Sequence, residues 1–156
     1  MNRPLDRIDS RILSELSNNA RLSNKELAAA VDLAPSSCLE RVRRLQAEGV
    51  LRGYHAEVDP AALGIGIQAM IAVRLKQHSR KLADSFRDYV QRLPEVVALW
   101  HIAGENDYLV QVAVQDVRHL RNFALDALTV RDEVAHLETS LIFEHARGWA
   151  LPDYTK

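Results

Sequence analysis

A chain of 156 residues, 26% charged and 47% hydrophobic, has the make-up of a folded protein and room for one domain or two small ones. Its formal net charge of −1 excludes nucleic-acid binding by overall charge, so any such surface has to come from local clustering. The single cysteine, Cys38, excludes an internal disulfide and a cysteine-rich zinc site. With no secretion-type h-region and no run near the roughly 18 apolar residues of a membrane span, a cytoplasmic protein with no membrane partner is expected.

Residues 5–48 carry a helical period. Ile8, Ile12, Leu13 and Leu16 share one face behind Asp6, a suitable N-cap. Ser23-Asn24-Lys25-Glu26 spells a capping box, with Leu22 and Leu27 at staple positions and Leu27, Ala28 and Val31 as the apolar stripe of a second helix. After the short turn Asp32-Leu33-Ala34, Pro35 opens a third helix at its first position. Cys38, Val42 and Leu45 form its buried stripe and Gly49 ends it. From Val50 to Val58 the period changes to two, which predicts a strand broken by Asp59-Pro60.

The second half alternates strands and helices. Ile67, Ala69, Ile71, Val73 and Leu75 predict a strand, and Leu82, Phe86, Tyr89, Val90 and Leu93 a helix stopped by Pro94. Val96–Ala103 and Tyr108–Val114 predict two strands joined by a tight turn at Gly104-Glu105-Asn106-Asp107. Asp116 caps a helix that uses Leu120, Phe123, Ala127 and Leu128, and Val134–Ala146 is read as the last strand. The order βαββαβ is that of a ferredoxin-like fold, so the class is α+β: an N-terminal helix-turn-helix domain (1–60, winged-helix-like, with a linking strand), a hinge (61–66), a ferredoxin-like domain (67–150) and a tail (151–156). Both helices lie on one sheet face. The other, rich in aliphatic residues, calls for self-association.

Two helices joined by a very short turn, the second of them basic, form a helix-turn-helix pattern. Removing the buried stripe leaves Ser36, Ser37, Glu40, Arg41, Arg43 and Arg44 facing outward. Serines in the first turn can bond base edges or phosphates, and arginine can pair bidentately with guanine or a phosphate. Two plainer readings stand beside this one. Ser37-Cys38-Leu39-Glu40 is itself a capping-box spelling for a later-starting helix, and Arg41 is equally suited to pair with a carboxylate elsewhere in the domain.

"LDRIDSRILSELSNNARLSNKELAAAVDLAPSSCLERVRRLQAEGVLRGYHAEVDPAALG" resembles the DNA-binding half of the Lrp/AsnC, or feast/famine, regulators. "LPEVVALWHIAGENDYLVQV" and "TSLIFEH" resemble their ligand-sensing RAM domain. The resemblance implies double-stranded DNA with pseudo-palindromic sites as partner, with Arg41 and Arg44 on basic, DNA-facing positions. It implies a linking strand near 50–58 that helps pair subunits, dimerisation through the sheet, and larger assemblies such as octamers. An amino acid or similar small metabolite is implied as effector, bound between dimers near Ala103, Gly104, Glu105, Asn106, Asp107 and Tyr108 and near Thr139 and Ser140. The sequence departs from the family pattern at Asp32, where Gly is frequent, at Ala34, where Ser would cap the helix, and at Ala103, where many members carry Thr.

From chemistry alone, turn amides at 104–107 can receive a carboxylate and Asp107 an ammonium group, though the same residues make a good hairpin whatever their function. Gly64-Ile65-Gly66-Ile67-Gln68-Ala69 spells a dinucleotide fingerprint but runs into a strand where that motif needs a helix. The six histidines lack metal-ligand spacing, and no metal or cofactor is called for. Trp100 and His101 are adjacent on a strand and face opposite ways, which argues against a shared catalytic pocket. The expectation is a non-enzymatic regulator; the alternatives are a low-specificity architectural DNA-binding protein and an enzyme built on a ferredoxin-like dimer.

Overall fold

A computed structural model describes residues 4–77, 79–146, 148, 151, 152 and 154. The chain divides into two compact units, one formed by residues up to Glu57 with those from Ala146 onward, the other by Val58–His145.

In the first unit the predicted caps start the predicted helices. The Asp6 carboxylate accepts from the amides of Ile8 and Asp9 and opens α1 (Arg7–Asn18). Ser23 and Glu26 close a reciprocal capping box on α2 (Asn24–Ala30), and Pro35 stands at the start of α3 (Pro35–Ala47). Between α2 and α3, Asp32 takes the left-handed conformation at φ 59°. From α1, Arg11 steadies this turn by donating to the Ala30 carbonyl at 2.6 Å and pairing with Asp32 at 3.1 Å. Ile12, Leu16, Leu27, Ala28, Val31, Cys38 and Leu45 form the core where the three helices meet. Each larger aliphatic chain there contributes about 1.5–3 kcal/mol by leaving water. Gly49, at φ 69°, ends α3, and the amides of Val50 and Leu51 return to the Leu45 carbonyl.

Over 50–58 no strand pairing exists among the described residues of this chain, and residues 52–58 are exposed. An alternating pattern fixes the two faces of a strand, but the strand itself needs a ladder partner.

The second unit is a four-stranded antiparallel sheet in the order β2-β3-β1-β4, built from β1 (Ile67–Leu75), β2 (Val96–His101), β3 (Tyr108–Val114) and β4 (Val134–Ile142). With α4 (Arg80–Val90) and α5 (Val117–Phe123) this is the βαββαβ order of the sequence reading. Alternate residues of β1 and β3, from Ala69 to Leu75 and from Tyr108 to Val114, are buried with Phe86 and Val90 of α4 and Leu120, Phe123 and Leu128. The opposite face, carrying Met70, Ala72, Leu109 and Trp100, is covered by no helix among the described residues of this unit.

Several boundaries differ from expectation. Helix α4 ends at Val90, and Leu93 packs on the core from the following turn. The β2–β3 connection runs from Ile102 to Asp107, six residues instead of four, because the strand stops at His101. The last strand stops at Ile142. Beyond α5 the backbone widens into a π-helical segment, Ala124–Thr129, whose Thr129 hydroxyl donates to the Ala124 carbonyl. Gly66 has a packing reason: a Cβ there would lie 2.4 Å from the Gln115 carbonyl oxygen.

Candidate functional site

Helix α3 begins at Pro35, so Ser37 is not the cap of a later-starting helix. Ala34 holds the cap position without a side-chain hydrogen bond, while Asn24 of α2 donates to the Pro35 carbonyl at 2.8 Å and ties the two helices together. Ser36, Ser37, Glu40 and Arg43 are exposed. Ser36, Glu40 and Arg43 recur at spacings of four and three and form one outward ridge, opposite the buried stripe of Cys38, Val42 and Leu45.

Arg41 and Arg44 do not extend from that ridge as expected. The Arg41 Nη1 donates to Asp6 Oδ2 at 2.6 Å and to Asp9 Oδ1 at 2.8 Å, and the Arg44 Nη2 donates to Asp9 Oδ1 at 3.1 Å. Asp9 is fully buried. A buried carboxylate requires hydrogen-bonded cations, and these two arginines sit on the flank of α3 that faces α1. The hydrogen bond from Arg41, helped by the amides of Asp9 and Ile8, holds the Asp6 carboxyl below the usual carboxylate range, and the same carboxylates raise the Arg41 guanidinium further. The plainer reading of Arg41 as an ion-pair partner is therefore realised, and it extends to Arg44. The partners were missed although a signal existed. Asp9 lies three and seven residues before Ile12 and Leu16, on the core-facing side of α1, where an acid needs a buried cation.

In the second unit the loop Ile102–Asp107 is fastened to the end of β1. The Asp107 amide donates to the Val73 carbonyl, its carbonyl accepts from Ile102, and its carboxylate accepts the Leu75 amide at 2.7 Å. That last bond falls where the β1–β4 register slips, between Arg74 and Leu75. Asp107 is thus a buried anchor of the loop. Tyr108, expected at the effector site, lies in the core with its hydroxyl on the Ala83 carbonyl at 2.9 Å and its ring against Phe86 and His101. Burial raises its phenol above the ordinary value. Ala103, Gly104 and Glu105 are exposed, and Glu105 pairs with Arg74 at 3.4 Å. Gly104, at φ 137°, takes a conformation that favours glycine. Thr139 and Ser140 are exposed on β4 opposite Ile71 and Met70, so they point to opposite faces of the sheet. The strand β1 separates them from the β2–β3 loop, and one protomer does not bring loop and hydroxyls together.

A helix-turn-helix unit with an exposed polar ridge on its last helix is followed by a four-stranded α+β unit, the two-domain build of a DNA-binding head joined to a second domain. Residues 5–52 match the winged helix-turn-helix DNA-binding family, and residues 68–147 the Lrp/AsnC ligand binding domain. The chain belongs to the Lrp/AsnC family of transcriptional regulators. It is 46% identical to the HTH-type transcriptional regulator AldR of Mycolicibacterium smegmatis over 94% of this chain and 85% of that one. It is 34% identical to the leucine-responsive regulatory protein of Rhizobium meliloti, covering 92% of each. Its fold is similar to that of the transcriptional regulator NMB0573 of Neisseria meningitidis in complex with L-Met, at TM-score 0.84 and 33% identity, covering 92% of this chain and 93% of the other. Among the described residues no helix is long and apolar enough to cross a membrane.

Proposed function

We propose that α3 enters a DNA major groove with Ser36, Ser37 and Glu40 at base edges and Arg43 on a phosphate. The carrying observation is the exposed ridge of Ser36, Glu40 and Arg43 opposite the buried stripe on a helix whose first turn has no side-chain cap. Two heads in a homodimer read a pseudo-palindromic site, with half-sites about one helical turn or a multiple apart. The test is a selection: genomic fragments from the source organism are incubated with the protein at near-physiological salt, and the retained DNA is sequenced. A few sharply enriched upstream regions are expected. Flat retention by an active sample turns the reading to an architectural, low-specificity role.

The effector is an amino acid or a similar small metabolite, supported by the L-Met complex of the neisserial relative. The exposed turn residues Ala103–Glu105 offer amides of the kind that suit a carboxylate. Because β1 separates this loop from Thr139 and Ser140, a site that uses both draws them from different copies of the chain, so binding and assembly are linked. Calorimetry with a panel of amino acids tests this. Heat from one of them that vanishes when the assembly is diluted to dissociation supports an interface site, and no binding across the panel removes the amino-acid effector.

A further inference from the structure

Asp9 has no exposed surface, and its charge is matched by two cations from the same helix, Arg41 and Arg44. The spacing of three places both guanidinium stems on one flank of α3, with Asp6 closing the cluster at the N-terminus of α1. Of the three arginines that make α3 basic, only Arg43 lies on the outward ridge. Arginine's planar fork is well suited to carboxylates and phosphates alike, so carboxylates that engage it compete directly with a DNA backbone.

Phosphate contacts supply affinity without sequence information, and each adds about 0.9 to the slope of log affinity against log salt. A cation withdrawn from the backbone therefore lowers non-specific binding more than specific binding. The same bonds hold α3 against α1 about its long axis, and that roll decides whether Ser36, Ser37 and Glu40 meet base edges. We propose that Asp9 is a specificity-determining positioning residue: it keeps Arg41 and Arg44 from the DNA backbone and uses them to fix the roll of the recognition helix. This rests on the DNA-reading role given to α3 above.

The test uses the full-length protein, an enriched fragment from the selection and unrelated DNA of equal length, with affinities measured across a salt series. Asp9→Asn removes the only carboxylate that Arg44 pairs with among the described residues, while Asp6 still holds Arg41. The salt slope then steepens by about 1, non-specific binding tightens, and the specific-to-non-specific ratio falls about tenfold or more. Arg41→Met retains the apolar stem and leaves Arg44 on Asp9; here the ratio falls while the slope stays at its wild-type value. A slope made shallower by about 0.9 in Arg41→Met means that Arg41 already contacts a phosphate, and overturns the proposal. So does an Asp9→Asn protein with wild-type slope and ratio. Should Asp9→Asn fail to fold, Arg41→Met decides alone. Wild-type protein that prefers no DNA sequence is a separate result, read before any variant, and it removes the DNA-reading role of α3 itself.

Discussion

Three carboxylates at the edge of or inside the protein do different work according to burial. Asp9 is fully enclosed and bound to two arginines, whereas Asp6 is partly open and doubles as the cap of α1. The folded-state pKa of Asp6 is lowered, so its contribution to stability is complete above the ordinary value of 3.8. It is lost as pH falls from there through the lowered folded value. Glu26, lowered by the Ser23 hydroxyl and amide, titrates with the same sign. Acid unfolding followed by circular dichroism is expected to show a shallower loss below about pH 4 in Asp6→Asn than in the wild type, since asparagine retains the cap and removes the titration. Asp107 is the third. Asp107→Ala leaves the buried Leu75 amide without its carboxylate acceptor and is expected to cost about 1–3 kcal/mol in denaturant unfolding of the second unit. An effector response lost in that variant comes from a displaced loop as much as from a missing ligand contact.

At the scale of elements, local chemistry in the first unit is nearly self-sufficient. Capping groups start α1 and α2, a proline starts α3, and Gly49 stops it. The exception is Ala34, which has an extended N-cap backbone at φ −65°, ψ 143° but no side-chain oxygen to offer. Ala34→Ser is expected to stabilise the unit by about 1 kcal/mol, measured as a raised melting temperature. A fall in melting temperature there would mean that the hydroxyl finds no amide. The left-handed Asp32 shows how an unfavourable backbone is offset from outside the element, by Arg11 at both the Asp32 carboxylate and the Ala30 carbonyl. The 50–58 segment shows the opposite case, an alternating sequence that has no ladder partner among the described residues.

For the molecule as a whole, the two units have separate cores, and each closes over one side of its elements. In the second, the covered face is filled by α4 and α5, while the other presents Met70, Ala72, Leu109 and a Trp100 that is 43% exposed. Gln68 and Gln111 hydrogen-bond to each other on the same face, and sheets of this kind take a second layer over such apolar side chains. Trp100→Glu places a charge on that face and is expected to lower the oligomeric state in sedimentation experiments while leaving the secondary structure intact. An unchanged assembly assigns self-association to another surface.

The amino-acid sequence by itself determined what depends on neighbours along the chain: the capped helices, the Pro35 start and Gly49 end of α3, the strand faces of the second unit and the βαββαβ order. Each rests on groups within about one helical turn or on a period of two, both legible without distant contacts. It also held a usable sign of Asp9, an acid on an apolar stripe. Only the tertiary structure decided which cations answer that acid, that Tyr108 turns inward onto Ala83, that Asp107 fastens its loop to Leu75, and that Thr139 and Ser140 face opposite ways across β1 from that loop. These partners are separated by about 25 to 35 residues or by a strand register. Their pairing is set by which surfaces the packed helices and sheet bring within hydrogen-bond reach, a property of the folded arrangement that no local spacing encodes.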